Sequence, residues 1–464
     1  MNLKSSQKFR QSFAVLSLLV LTSTATFSQS VYSRPSAVPQ PIPNPTTNQA
    51  PAGGPLVRTT ASANPSSAAR PDVAFPSLEP IVSGSRGVLV ETVDGKKVLE
   101  TMSNVPFNPA SNIKMATALA ALKTLKPNYR FQTKIYTNGI FNQQTGVLEG
   151  NLYVVGQDPS FNYEQAIAIA AALNKLGIRQ VNGDLVVAPT FTIAFNPSAM
   201  RSGVLFYDSL DANRRSAAAV RAWQNYLLNS GQSNLPQAIP SVAVMRAVTT
   251  GGLPSSNLRL LATHESSPLK DILKVCLSYS NNFIAERIGD ALGGVYTIER
   301  VIQQEARIPA EEFQIASASG LGINRVTPRA MMRIFRALHG ELSRYKMSPT
   351  DILPVAGVDE GTLKNRFADF RARGSVIGKT GTLPSSDGGV SSLVGQMATA
   401  SGEILFFVIF NQHGNINRFR DYQNQLISYL QNQRGGAATF AYFPKSFPAI
   451  LANTRVITEN SVSN

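Results

Sequence analysis

The scarce residue types narrow the chemistry first. The chain holds one cysteine, Cys276, so no disulfide can close within it. Three histidines, His264, His339 and His413, and no Gly-x-Ser-x-Gly elbow argue against a Ser-His-Asp hydrolase. Each histidine reads as a surface or capping residue. One cysteine and no clustered His/carboxylate spacing argue against a metal site, and neither metal nor cofactor is expected. Acidic side chains are also few, 28 against 43 Lys and Arg, which leaves a formal charge of +15. A field of that sign favours anionic partners, either nucleic acid or anionic cell-envelope polymers. Long apolar runs are missing too. The stretch from Phe13 to Leu21 is well short of the roughly 20 residues a membrane-spanning helix needs.

That short run has informative flanks. Lys4, Lys8 and Arg10 precede it, and small and hydroxylated residues follow it through Ser28. This is the layout of a secretory signal peptide over residues 1–28, and it leaves no transmembrane anchor in the mature chain. Export to the periplasm or another extracytoplasmic space in turn argues against nucleic acid as the partner. Residues 29–79, rich in Pro, Ser, Thr, Asn and Ala, bury too little apolar surface to fold and read as a disordered linker.

Order is expected from about residue 80. Two β-like runs, Gly87 to Val93 and Lys96 to Glu100, meet at Asp94-Gly95, a hairpin signal. A helix-forming run then continues from Ser111 to Leu125. Residues 131–259 read as an inserted accessory region, with strand-like pieces, one amphipathic helix over Tyr163 to Leu176, and a polar stretch from Ser202 to Ser256 without clear elements. Leu269, Ile272, Leu273, Cys276 and Leu277 mark a core-facing helix and make Cys276 a buried structural residue. A helix from Pro328 to His339, strands over Gly389 to Thr399 and Glu403 to Asn411, and a helix from Asn417 to Leu430 follow. The pattern predicts an α+β core with a mainly antiparallel sheet flanked by helices, assembled from residues 80–130 and 260–435, and a tail over 436–464.

Three motifs stand in order: Ser111-Asn112-Ile113-Lys114, Ser280-Asn281-Asn282 and Lys379-Thr380-Gly381-Thr382. Alone, each is as well explained by a helix cap or a turn. Together, each in a fitting secondary-structure setting, they describe one chemistry. A serine hydroxyl needs a base within hydrogen-bond reach to act as a nucleophile. Ser111 and Lys114 share a helix face. Burial, and a nearby cation such as Lys379, would lower the Lys114 pKa until it can accept a proton. Ser280 can relay a proton to a leaving amine, and Asn282 can hydrogen-bond a substrate amide. Lys379 and Thr380 offer a cation and a hydroxyl to a carboxylate, and Gly381 would admit substrate backbone. The N–H groups of Ser111 and Thr382 could form an oxyanion hole.

With their flanks, these motifs resemble the low-molecular-mass class C penicillin-binding proteins. The matching stretches are Asn108 to Lys114, Gly150 to Pro159, Ser280 to Glu286, Ser319 to Leu321 with Asn324 to Pro328, Pro354 to Leu363 and Lys379 to Leu383. The resemblance implies a penicillin-binding, transpeptidase/β-lactamase-like domain carrying an inserted accessory region. It also implies a serine D-Ala-D-Ala carboxypeptidase or endopeptidase acting on peptidoglycan stem peptides, with β-lactams as covalent inhibitors. The stretch between Ser111 and Ser280 is too long for a compact β-lactamase. A β-lactamase and an inactive wall-binding protein are the competing readings. Where relatives carry Asp-Gly before Ser-Gly-Leu and a serine after it, this chain has Ser317-Ala318 and Gly322. The loop from Leu383 to Gly388 is longer than usual and would sit beside the carboxylate pocket.

Overall fold

The computed structural model describes residues 83–231, 239–254 and 257–459. The signal-peptide and linker readings lie outside these residues. The chain enters on β1 (Ser85–Thr92) and β2 (Lys97–Thr101), passes a 3-10 turn at Ala110–Asn112 and runs into α1 (Ile113–Leu125). It then builds the inserted region: β3 (Gln132–Thr137), β4 (Ile140–Asn142), β5 (Val147–Glu149), β6 (Leu152–Gly156), α2 (Tyr163–Lys175), β7 (Gln180–Val181), β8 (Leu185–Val187), α3 (Ala199–Leu210), α4 (Ala217–Asn229), β9 (Ala243–Val244), β10 (Val248–Thr250) and β11 (Arg259–Glu265). The core resumes with α5 (Leu269–Tyr279), α6 (Asn282–Ala291), α7 (Val295–Glu305), β12 (Phe313–Gln314), β13 (Arg325–Val326) and α8 (Pro328–Arg344). It is completed by β14 (Val376–Leu383), β15 (Val390–Ala398), β16 (Ile404–Gln412) and α9 (Ile416–Asn432), followed by α10 (Phe447–Leu451) and β17 (Arg455–Thr458).

The core sheet runs β14-β15-β16-β1-β2, antiparallel at every pairing. Its two faces read directly from the period-2 pattern of β16. Phe406, Val408 and Phe410 face the cluster around α1 and α8, while Leu405, Phe407 and Ile409 face α9. Burial on both faces is why this strand is apolar throughout rather than alternating. Asp94-Gly95 makes the β1–β2 turn, with Thr92 N–H donating to Lys96 O at 2.9 Å and Gly95 at φ +93.

Helix α1 is the axis of the larger cluster. Every residue from Ile113 to Leu122 is buried, and α5, α6, α7 and α8 all pack on it. A helix apolar on all sides belongs in the interior. Within it only Lys114 and Thr117 are polar among the buried residues, and both find partners. Truncating Leu119 to Ala there would cost about 2–5 kcal/mol.

The inserted region folds on a mixed six-stranded sheet, β10-β8-β6-β3-β11-β17, with its own core. Three features depart from the sequence expectation. Strand β11 pairs with β3, so the chain re-enters the core after Glu265 rather than at residue 260. The segment after Gly435 returns to the inserted region, where β17 pairs with β11. Residues that read as a polar stretch form α3 and α4. Ser198 and Ser216 cap them by accepting from the N–H groups of Arg201 and Ala219. Among the described residues no helix is long and apolar enough to cross a membrane.

Candidate active site

Ser111 stands at the entry to α1 on a backbone that needs outside support. Ala110, the residue before it, has φ +50, a left-handed conformation that costs an L-residue with a Cβ about 1–2 kcal/mol. Asn108 holds it in place. Its Oδ1 accepts from Ala110 N–H at 3.1 Å, and its Nδ2 donates to Asp387 Oδ2 at 2.9 Å and to Gly322 O at 3.1 Å. Gly320, at φ +85, leaves room for Ala110 O, which a Cβ would strike. On the other side Asn112 Nδ2 donates to Ser392 Oγ at 2.7 Å, and that hydroxyl donates to Pro109 O at 2.7 Å.

One turn on, Lys114 is 1% exposed. Its Nζ donates to Ser111 Oγ at 3.0 Å, Asn282 Oδ1 at 2.7 Å and Ser319 O at 2.7 Å. Burial lowers its pKa to about 8, against smaller opposing effects from Cys276 and Glu286. The amine is therefore poised to exchange a proton near neutral pH. Lys379, fully buried, donates to Ser280 Oγ at 2.8 Å and to Thr380 O at 2.7 Å. Burial, and then the Lys114 charge, hold its pKa well below the usual lysine range. Two like charges in one dry site disfavour each other, so at most one is comfortable as a cation. Cys276 lies within the field of both lysines, yet burial pushes its thiol up to about 11 and it remains a free, protonated core residue.

Ser280 ends α5 at φ +57, in the left-handed region. The next residue, Asn281, caps α6 by accepting from Ile284 N–H at 3.0 Å. The short link between the two helices thus sets Ser280 against Lys379 and Asn282 against Lys114. Asn282 Oδ1 faces Lys114, leaving its amide N–H2 as the end able to donate. Thr380 Oγ1 donates to Thr362 Oγ1 at 2.8 Å, and Thr382 Oγ1 accepts from Arg420 Nη2 at 3.2 Å.

The expected residues therefore gather in one place. Gly381 also has a structural reason to be glycine. A Cβ there would meet Ser392 Oγ and Pro109 O, so the glycine admits the turn that carries Ser111. The support around the site was largely invisible in the sequence. Glu286 accepts from Ser319 N–H at 2.9 Å and Ala318 N–H at 3.3 Å. It thereby fixes the carbonyls that take Lys114 Nζ and, at 2.7 Å, Thr117 Oγ1. Because these contacts use backbone, Ser317-Ala318 serves in place of Asp-Gly. Lys274 and Asp359 form a buried ion pair at 2.7 Å, with Lys274 also reaching Thr350 O and Leu353 O. The pair pins the segment bearing Thr362. Asn108, Glu286 and Asp359 all lay inside the recognised motif flanks, which was the one available signal. Ser392 and Arg420 carried none.

One histidine expectation is also overturned. His264 is 0% exposed, edge-on to Phe161 in the inserted region, because its place on β11 faces that region's core.

An antiparallel α+β core with a serine–lysine pair at the head of a buried helix, facing a second serine and lysine, defines a serine peptidase of the penicillin-binding class. Residues 74–210 and 202–433 match the D-Ala-D-Ala carboxypeptidase 3 (S13) family, and the chain belongs to that family. This places it among the low-molecular-mass class C penicillin-binding proteins. It is similar to a carboxypeptidase of Mycobacterium tuberculosis, 25% identical over 411 residues and spanning 82% of this chain and 87% of that one. A D-alanyl-D-alanine carboxypeptidase of Haemophilus influenzae is 25% identical over 414 residues, across 70% of this chain and 84% of its own. Among solved structures, the fold is similar to that of a predatory endopeptidase from Bdellovibrio bacteriovorus. The TM-score is 0.66 at 20% identity, over 81% of this chain and 100% of that one.

Proposed function

We propose that this protein is an exported serine DD-peptidase that hydrolyses the D-Ala-D-Xaa bond of peptidoglycan stem peptides, as a carboxypeptidase and as an endopeptidase. Ser111 Oγ attacks the carbonyl of the penultimate D-alanine while neutral Lys114 takes its proton. The C–N bond breaks as the proton held by Lys114 reaches the departing amine through Ser280, which leaves an ester on Ser111 and Lys114 neutral again. Water then attacks that ester, its proton returns through Lys114, and the acid is released. Asn282 holds the donor peptide's amide. Lys379, Thr380 and Thr382 receive the carboxylate of the leaving residue, and the N–H groups of Ser111 and Thr382 stabilise the oxyanion, which is commonly the largest single contribution. The observation that carries this reading is the bond from Lys114 Nζ to Ser111 Oγ at 3.0 Å, on a lysine whose pKa burial has lowered to about 8. The chain's charge of +15 suits a working place among anionic wall polymers in the periplasm or cell-wall space.

The test is intact-mass analysis after incubation with benzylpenicillin, beside a Ser111→Ala control. A stable adduct that maps to Ser111 and vanishes in the control is expected. Drug hydrolysed without an adduct would make the protein a β-lactamase. Drug left intact with no adduct would make it a binding protein with a closed site.

A further inference from the structure

Past the end of β14 lies a cleft of about 490 Å³, bounded by the segment from Pro384 to Gly389 and by the first turns of α9. Its walls include Thr382, Pro384, Gly389, Asn417 and Arg420. The Pro384–Gly389 wall is held firmly. Asp387 takes Arg325 Nη2 at 2.8 Å on one carboxylate oxygen and Asn108 Nδ2 at 2.9 Å on the other, while its carbonyl accepts from His413 N–H at 3.0 Å. The extra residues after Thr382 are thus tied back to the Asn108 turn and leave the cleft open. Gly389, at φ +94, lies against Gly414 O where a Cβ would not fit.

Among the described residues that line this cleft only one is charged, Arg420, and it is exposed. Its Nη2 donates to Thr382 Oγ1 at 3.2 Å, so the guanidinium lies beside the catalytic strand. A second guanidinium stands behind it. Arg366 donates to Arg420 O at 3.5 Å and is anchored on Asn424 Oδ1 at 3.0 and 2.6 Å. Side chains two apart on a strand share a face, so Thr380, Thr382 and the cleft follow one another along β14. A leaving residue whose α-carboxylate sits at the two threonines would send its own side chain toward Arg420.

We propose that this cleft is a leaving-side subsite, in which Arg420 recognises a second carboxylate on the amino acid or acceptor peptide released from the acyl-enzyme. The inference rests on the DD-peptidase reading above. It makes the protein selective for acidic, cross-link-like leaving groups over plain D-alanine. The full-length mature protein would be assayed on N-acyl-D-Ala-D-Glu and N-acyl-D-Ala-D-Gln, which differ only in that second charge. Wild type is expected to favour the D-Glu substrate. Arg420→Gln should lower the kcat/KM ratio of D-Glu over D-Gln by about tenfold, the scale of one charged hydrogen bond, and Arg420→Lys should keep part of the preference. A ratio unchanged by Arg420→Gln, or no preference in wild type, would overturn the subsite. Benzylpenicillin acylation of Ser111 on the same samples separates the two failures. With acylation intact, only the subsite falls. With no acylation and no turnover in wild type, the DD-peptidase reading falls and the subsite with it.

Discussion

The catalytic core and the inserted region both bury ionisable side chains, and they treat them in opposite ways. In the core each buried lysine is given oxygens. Lys114 has three acceptors, and Lys379 two. In the inserted region His264 Nδ1 and Nε2, Asp158 Oδ2 and Glu164 Oε2 meet no hydrogen-bond partner among the described residues. His264 Nδ1 comes only to 4.0 Å from Asp158 Oδ2. Burial is then the largest influence on their state, outweighing the bonds that Asp158 Oδ1 accepts from Ser160. His264 is pushed down to about 3, Asp158 up to about 6 and Glu164 up to about 7. A buried amine surrounded by acceptors stays able to hold or lose a proton near neutral pH, whereas a buried group with few partners has its pKa moved in the direction that favours its neutral form. The first arrangement suits proton transfer; the second makes polar residues into core filling.

The strongest way to break this contrast is to deny Lys114 its neutral state. Lys114→Arg keeps a cation but cannot lose it, so benzylpenicillin acylation of Ser111 should slow by about a thousandfold, within the usual range for a positioned general base. Acylation within tenfold of wild type would remove Lys114 as the base. Next in size is the pH profile. The neutral fraction of Lys114 rises as pH rises toward its pKa of about 8. Acylation should therefore climb roughly fiftyfold between pH 6 and 8 and gain only about twofold more above that. A flat profile would mean that the proton goes elsewhere. Glu286→Gln should act more gently. The carboxylate helps keep Lys114 charged, so its loss should move the break in that profile to lower pH. It should also slow acylation by roughly tenfold, because a Gln amide faces one of the two N–H groups that the carboxylate now accepts. A lower rate with the break unmoved would leave Glu286 as a loop anchor only.

How much of this was readable in advance follows the same division. Ser111 with Lys114, Ser280 with Asn282, and Lys379 with Thr380 were legible as one cluster because they stand at short fixed spacings on regular elements. The α+β class and the antiparallel sheet were legible because strand-like runs, with a hairpin signal at Asp94-Gly95, precede a helical middle and a strand–helix pattern ends the core. The supports were not. Asn108 meets Asp387, and Asn112 meets Ser392, across most of the chain, and no local pattern marks such pairs. Helix α4 escaped notice because it buries only Ala219 and Tyr226, too narrow an apolar stripe to stand out among polar neighbours. The return of the chain end to β11 carried no signal, since β17 is an edge strand of four residues with no fully buried position. His264 misled because a titratable residue in a strand reads as surface unless its inward register is known.

The smallest effect probes the other half of the contrast, where the ionisable groups should matter for stability and not for catalysis. Asp158 Oδ1 accepts from Ser160 N–H at 2.8 Å and Ser160 Oγ at 2.7 Å, and asparagine can keep both bonds. An unfolded aspartate releases its proton near 3.8, while the folded one holds it to about 6. Between those values the native state binds the extra proton, so wild-type stability falls as pH rises through the window. An asparagine in that place has no proton to lose. The stability of Asp158→Asn relative to wild type should therefore improve steadily from pH 4 to pH 6 and stay level above that, by about 3 kcal/mol in all. Denaturant unfolding at a series of pH values measures this, and acylation of Ser111 on the same samples should keep its rate. A stability difference independent of pH would mean that Asp158 is ionised in the fold, paired with a protonated His264. The two regions would then handle buried charge alike, and the contrast drawn between them would fail at its weaker end.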